Sequence, residues 1–261
     1  MDEEVLAGGV ANAGQVVRVG GHVLRPADER SETRQRFLVA LHAVGFDGAP
    51  KPIGVEAGRE RLHFIHGDVP VPPFPAWAQS DDALASIAAL LARFHTASRR
   101  FDPAGLDWSD EMADPLGGPI ICHNDVCLEN VVFREAEAVA LLDFDFAAPG
   151  RPVFDLAQMA RMCVPIDDDV NAGRLGWLEA DRPARLRLVA DAYGLDVVAR
   201  RALLPLLDDA IEQGGGFVLR QVQRGAPGFV AMWEAMGGME RFDRRRRWWA
   251  AHRHRFARAI S

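Results

Sequence analysis

In the first 65 residues apolar and polar side chains alternate over short stretches, and beyond them apolar positions recur at helical spacing. GQVVRVGGHVLRPA reads as two strands turning at Gly20-Gly21, because a glycine pair reaches the backbone angles of a tight hairpin. ERSETRQRFLVALHAVGF sets Phe37, Leu38, Leu41 and Val44 on one face of a helix that stops at Gly45. KPIGVE and RLHFIHG form a second strand pair about Ala57-Gly58. The order strand, strand, helix, strand, strand describes a small sheet carrying one helix.

DVPVPPFPAW is too rich in proline for a helix or a central strand, so a boundary is expected near Gly67, with residues 1–66 as one unit and 67–261 as the other. Past it, DDALASIAALLARFHTASRRF opens on acids suited to capping and carries Leu84, Ile87, Leu91 and Phe94 at core spacing. His95, on the same helix, reads as a satisfied core histidine rather than a catalytic one. From Asp155 onward helical patterns dominate, through DLAQMARMC, RPARLRLVADAYG, VARRALLPLLDDAIEQ, FVAMWEAMGG and the final DRRRRWWAAHRHRFARAI.

Between these two helical regions the pattern changes. An apolar strand, Ile120 to Cys122, runs into the polar loop HNDVCLEN and emerges as a second strand, Val131 to Phe133. AVALLDF pairs with it as a hairpin ending at Asp143. That arrangement brings Asp125, Asn130 and Asp143 to one end of the hairpin. Two carboxylates and an amide oxygen have the makings of a Mg²⁺ site, because this hard cation takes oxygen ligands and keeps room for phosphate oxygens.

Composition narrows the class. The 49% apolar and 26% charged fractions describe a globular core, and the net charge of −7 argues against non-specific nucleic-acid binding. The start, MDEEVLAGGVANAG, has acids where a signal peptide has positive charge, and no apolar run is long enough to span a membrane. Three cysteines without paired spacing, Cys122, Cys127 and Cys163, read as reduced thiols of a cytoplasmic protein. Cys122 and Cys127 flank His123 but lack a second ligand pair, so zinc is not expected.

His123-x-Asp125 with Asn130 at kinase-loop spacing, then Asp143-Phe144-Asp145 and Asp155-Leu156-Ala157, resembles the motif set of the aminoglycoside phosphotransferase and choline kinase-like phosphotransferase enzyme family. The resemblance implies an α+β, bilobal protein-kinase-like fold, with a small antiparallel-sheet N-lobe carrying one helix and a larger, mainly helical C-lobe. It implies a small-molecule kinase that moves the γ-phosphoryl of ATP or GTP to a hydroxyl of a small acceptor, with Mg²⁺. Asp125 would accept or orient the acceptor proton, and Asn130 and Asp143 would hold the metal. His123 would support the loop from behind, and Asp155 would be the buried acid that ties it down. Asp145 could assist the metal or an acceptor group.

The amino-terminal part departs from the family. Gly8, Gly9 and Gly14 sit where a phosphate-covering loop belongs, although a plain turn explains them as well. The lysine expected late in the third strand is missing: Arg25 stands there, and Lys51, the only lysine in the chain, lies beyond the helix. Arginine clamps phosphate bidentately but does not simply replace a lysine point charge. Its helix partner is expected to be Glu32, with Glu29 behind it. Phe64, Ile65 and His66 would offer backbone to adenine.

Two further features bear on partners. Acids at Asp167 to Asp169, Asp208, Asp209 and Glu212 would suit a polyamine acceptor such as an aminoglycoside, while a solvated helix face explains them equally. The stretch RFDRRRRWWAAHRHRFARAI carries eight arginines beside Trp248 and Trp249; the tryptophans are expected to anchor the helix while the arginines stay solvated. The alternative to the kinase is a pseudokinase or binding protein that lacks efficient turnover for want of the strand lysine, one that could use the arginine-rich helix.

Overall fold

The computed structural model describes residues 3–6, 12 and 14–260. Five strands, β1 (Glu3–Val5), β2 (Val17–Val19), β3 (His22–Pro26), β4 (Pro52–Glu56) and β5 (Arg59–His63), make an antiparallel sheet in the order β1-β2-β3-β5-β4. The β2–β3 hairpin turns at Gly20-Gly21 and the β4–β5 hairpin at Ala57-Gly58, as the sequence predicts. β1 is the exception: Glu3, Glu4 and Val5 are all exposed, so the strand carries no burial pattern to read. Its pairing with β2 makes the glycine-bearing stretch the connection between those two strands. Gly8 and Gly9 lie outside the described residues; Gly14 sits in a turn at φ +75°.

Helix α1 (Ser31–Ala43) buries Phe37, Leu38 and Leu41, whereas Val44 falls just past its last turn and is 37% exposed. The Phe37 ring meets Phe94 and Phe144 edge-on, at 6.0 and 6.3 Å. α1 is therefore packed into the same core as the helices that follow. Helix α2 (Asp81–Ser98) buries Leu84, Ile87, Leu91 and Phe94. Its cap is Ser80, whose hydroxyl accepts the Ala83 N–H at 3.1 Å, while Asp81 and Asp82 occupy the first turn and complement the helix dipole.

The proline-rich segment is pinned at its start. Asp68 exchanges two backbone hydrogen bonds of 2.8 Å with Phe133, on strand β7 (Val131–Arg134). Gly67 enters this contact at φ +149°, where a Cβ would lie 2.4 Å from the Phe133 carbonyl oxygen, so only glycine fits.

Four short strands form the scaffold of the polar loop. β6 (Ile120–Cys122) pairs antiparallel with β9 (Ala148–Gly150), and β7 pairs with β8 (Glu137–Leu141). Helices α3 (Pro152–Cys163), α4 (Asp169–Arg174), α5 (Arg182–Tyr193), α6 (Val197–Gln223), α7 (Pro227–Met236) and α8 (Gly238–Ile260) form the remainder. Short α4 was not anticipated, because six residues give too few turns to show a period. No helix among the described residues is long and apolar enough to cross a membrane.

Candidate active site

The polar loop is held from below by one carboxylate. Asp155, fully buried in the first turn of α3, accepts the backbone N–H groups of His123 and Asn124, both at 2.7 Å. Asn124 adopts φ +65°, a left-handed conformation that asparagine tolerates, and successive N–H groups thereby converge on the acid. Asp155 also pairs with His95 Nε2 at 2.8 Å, while His95 Nδ1 lies 2.6 Å from the Tyr193 hydroxyl. Burial alone would push the Asp155 carboxyl up; the hydrogen bond and charge of His95, with the loop N–H groups, override it and hold it below the usual range. His95 is accordingly a core histidine, 2% exposed, with both ring nitrogens engaged.

Cys122 lies close enough to His95 and Asp155 to resemble a metal cluster. Burial and the nearby acids push its thiol well up, which keeps the proton on sulfur, and His95 has no nitrogen to spare. The trio is structural.

Above this base, His123 Nε2 lies 2.8 Å from the Leu142 carbonyl and its ring packs on Phe144 at 4.6 Å, linking the polar loop to the end of β8. Asn130 and Asp143 flank the open end of the β7–β8 hairpin, closed by Leu142 N–H donating to the Asn130 carbonyl at 2.8 Å. Asn130 Nδ2 donates to both the backbone carbonyl and the carboxylate of Asp125, each at 2.9 Å. Asp143 sits at φ +60°, a left-handed turn that lifts its side chain out of the strand line. Asp125 is pushed up to about 7 by burial and by the Asp143 charge, against the opposing pull of Arg161 and the Asn130 hydrogen bond.

This set fits Mg²⁺. The Asn130 amide nitrogen is committed to Asp125, so its oxygen is the atom left for a hard cation, and Asp143 is a partly exposed carboxylate beside it.

The cationic partner is arranged differently from the expectation. Arg25 donates Nε to Glu60 at 2.8 Å and Nη1 to Asp143 at 2.9 Å, and Nη2 pairs with Asp145. Its acid is therefore Glu60, directly opposite on β5, and not Glu32, which is exposed on the first turn of α1. The inward position on α1 belongs to Arg34, which pairs with Glu60 at 2.5 Å and Asp28 at 2.9 Å. The helix-acid expectation fails because α1 contributes a cation at that place, and Glu60 bridges two guanidinium groups. The strand alternation of RERLH could have found it, since it turns Glu60 inward with Leu62.

Phe64, Ile65 and His66 line a separate cavity of about 490 Å³ together with Lys51, Arg93 and Arg134. Arg25, Asp125, Asn130 and Asp143 are not part of its wall. Arg18 on β2 covers the Phe64 ring at 3.9 Å.

The acids expected to face a polyamine are largely occupied. Asp167 pairs with Arg245 at 3.1 Å and with Arg241 at 3.5 Å, and Asp168 with Arg244 at 3.2 Å. Glu212 pairs with Arg246 at 2.5 Å and Asp208 with Arg253 at 2.6 Å. Both expectations about this region change in part: Asp167, Asp168, Asp208 and Glu212 are paired from within, and Arg241, Arg244 and Arg245 are held by acids and mostly buried, while Arg246 and Arg253 are paired but remain open to solvent. Trp249 is buried and donates to Asp208 at 2.7 Å, so the tryptophan does anchor the helix. Arg161 on α3 stands apart, lowered to about 10 by burial and by Arg245 despite the opposing charges of Asp125 and Asp167.

A sheet with one helix, joined to a helical part through a polar loop seated on a buried acid, defines the protein-kinase-like fold class. Sequence comparison is more specific: the model of the Phosphotransferase enzyme family (APH) matches residues 13–189, and the chain belongs to that family. It is 35% identical over 224 residues to the trifolitoxin immunity protein of Rhizobium leguminosarum bv. trifolii, covering 81% of this chain and 84% of that one. Among solved structures, a choline/ethanolamine kinase family protein from Mesorhizobium loti superposes with a TM-score of 0.64 at 16% identity, over 100% of this chain and 92% of the other. The gentamicin-APH(2")-IIa complex gives 0.62 at 12% identity, over 90% of each chain. At such identities the structural likeness concerns the fold.

Proposed function

We propose that this protein is a small-molecule kinase that moves the γ-phosphoryl group of ATP or GTP to an acceptor hydroxyl. The observation that carries this reading is the Asp125–Asn130–Asp143 group at the hairpin end, with Asp125 held by Asn130 and the whole loop fixed by Asp155. Residues 1–66 would supply the nucleotide side and 67–261 the catalytic and acceptor side.

In this reading the bond between the γ-phosphorus and the β,γ-bridging oxygen breaks as the acceptor oxygen bonds to phosphorus. The hydroxyl proton passes to the Asp125 carboxylate and then to solvent, leaving a phosphate monoester and the nucleoside diphosphate. Asn130 and Asp143 would hold Mg²⁺, which when bound neutralises charge on the phosphate oxygens. Arg25, steadied by Glu60, takes the place of the family lysine and presents two N–H-bearing nitrogens toward the carboxylate end. Positioning and charge neutralisation supply most of the rate in such transfers, which is why the site needs no covalent nucleophile. The immunity relative suggests a role in which phosphorylation disarms a toxic compound.

A second reading has one observation in its favour. Arg25 binds the same Asp143 that would bind the metal, an arrangement that would suit a pseudokinase whose cation is built in. Thermal stabilisation by Mg-ATP and Mg-GTP, with and without EDTA, separates the two, because ligand binding to the folded state raises Tm without any acceptor. The kinase requires a metal-dependent shift that Asp143→Ala removes. No shift at millimolar nucleotide would leave the pseudokinase.

A further inference from the structure

The catalytic loop continues into an aromatic row. Asn124, next to Asp125, donates Nδ2 to the Phe146 carbonyl at 2.9 Å. The Phe146 ring meets Phe217 of α6 edge-on at 5.1 Å, and Phe217 meets Phe229 of α7 at 5.4 Å. All three rings are only half-buried. Phe217 lies three residues beyond Gly214, so the two share a face of α6.

Gly214 is where Arg161 rests. A Cβ at Gly214 would lie 2.8 Å from both Cζ and Nη1 of Arg161, so a side chain there would displace the guanidinium. Glycine within a helix is unfavourable relative to alanine, and a seat for the guanidinium is what this chain gains at that position. Two residues further along α3, Cys163 Sγ reaches the Val126 carbonyl at 3.6 Å, which sets this turn of α3 against the neighbour of Asp125. Among the described residues, the Arg161 guanidinium is bonded to Gln158 Oε1 at 3.3 Å and stands within ion-pair distance of no carboxylate. The arginines around it on α8 are by contrast matched with acids.

We infer that this face is the acceptor subsite, and that it takes a hydroxyl compound with a flat apolar body and an anionic group, the body on the Phe146–Phe217–Phe229 row and the anion on Arg161. The inference rests on the kinase reading of Asp125. A guanidinium fork matches a carboxylate through two parallel hydrogen bonds, and aromatic faces hold a flat body by area and edge contacts. A polyamine would meet an unmatched arginine here, with Asp167, Asp168, Asp208 and Glu212 already paired to other arginines.

Three probes with one ring and one hydroxyl isolate the charge: 4-(hydroxymethyl)benzoate, 4-(hydroxymethyl)benzamide and 4-(hydroxymethyl)benzylamine. Binding is measured by ligand-observed NMR and phosphorylated product by mass spectrometry with Mg-ATP. The acid should exceed the amide by at least about tenfold, with the amine weakest, as a charge-assisted hydrogen bond implies. Arg161→Gln should reduce that preference to about twofold or less, Arg161→Lys should keep part of it, and Gly214→Ala should weaken it by moving the guanidinium. An amine or amide that matches the acid overturns the inference, as does an acid preference that survives Arg161→Gln or an acid that fails to bind at high millimolar concentration. The Mg-ATP thermal shift is read separately. If it is present while the acid preference is absent, the subsite fails and the kinase stands; if it is absent from the wild type, the kinase reading itself fails.

Discussion

Arg25 and Glu60 face each other across β3 and β5, joined at 2.8 Å, and the remaining guanidinium nitrogens reach Asp143 and Asp145. Glu60 also binds Arg34, so one buried carboxylate steadies two buried cations. Burial alone would lower the Arg25 guanidinium, but the charges of Asp145, Asp143 and Glu60 hold it above its ordinary value.

Removing that carboxylate should take from two buried arginines the one acid buried with them, leaving Arg25 only Asp143 and Asp145 and Arg34 only Asp28 and Asp145, all nearer to solvent. Glu60→Gln is expected to cost about 3–5 kcal/mol in urea unfolding, as loss of one partner from a buried pair does. The cost should shrink in Glu60→Gln combined with Arg34→Met, which takes away the second cation. A surface pair would contribute less than about 1 kcal/mol, and a loss that small would show Glu60 to be inessential.

Arg25 itself should not be replaceable by the lysine more usual in the family. A single ammonium cannot serve Glu60 and the Asp143–Asp145 end together, because it lacks the fork. In phosphotransfer assays Arg25→Met is expected to lose at least about a hundredfold in kcat/KM, the scale of one preorganised electrostatic contact. Arg25→Lys should recover only part of that loss. Full activity in Arg25→Lys would show that a point charge suffices.

Asp125 ties activity and stability to pH with opposite signs. Its folded pKa of about 7 lies above the ordinary 3.8, so between those values the folded state holds a proton that the unfolded state has released. Stability attributable to this residue therefore falls as pH rises from about 4 to about 7. Asp125→Asn should accordingly gain in Tm relative to wild type over that window, with the difference level above pH ~7. Phosphotransfer by the wild type should rise through the same range as the carboxylate ionises, and the variant should lose about 10²–10⁴-fold. A Tm difference that does not vary with pH would place the Asp125 pKa near its ordinary value.

Asp155 behaves in the opposite sense. Its pKa is lowered, so its contribution is present above the ordinary carboxylate value and is lost as pH falls through the lower folded one. Asp155→Asn removes an acceptor from two loop N–H groups and His95, and should destabilise by about 3–5 kcal/mol at pH 7. Acid titration of Tm should show wild type and variant converging below pH ~4. Amide exchange at His123 and Asn124 should accelerate in the variant, because Asp155 is what holds those two N–H groups.

The division between what sequence reveals and what it conceals follows from range. The hairpins at Gly20-Gly21 and Ala57-Gly58, the α2 core face and the closure of the Asn130–Asp143 hairpin end are local, each set within one turn, one helix or one hairpin, and they are as expected. β1 is concealed because a three-residue exposed strand has no alternation to detect. For the acid opposite Arg25, alternation in RERLH turns Glu60 inward, but its pairing with Arg25 is decided by cross-strand register 35 residues apart in the chain, and helix position alone suggested Glu32. Asp208 and Glu212 on α6 and Asp167 and Asp168 before α4 misled for a related reason: each is matched by an arginine 34 to 78 residues away, and charge composition does not pair them.

That pairing yields a last expectation, about the arginine-rich helix. Asp167 is buried and pairs with Arg241 and Arg245 of α8, and burial of its carboxyl is overridden by Arg245 to give a lowered pKa. Asp167→Asn should therefore loosen α8, at about 3–5 kcal/mol for breaking a buried pair, seen as a lower Tm and faster amide exchange in residues 241–249. It should also uncover cationic charge. Fluorescence anisotropy with a 20-nucleotide single-stranded RNA should show weak binding by the wild type at physiological salt and tighter, steeply salt-dependent binding by the variant, since released arginines displace counterions from phosphate. Strong salt-dependent RNA binding by the wild type would mean that the helix acts as a nucleic-acid surface despite its internal pairing.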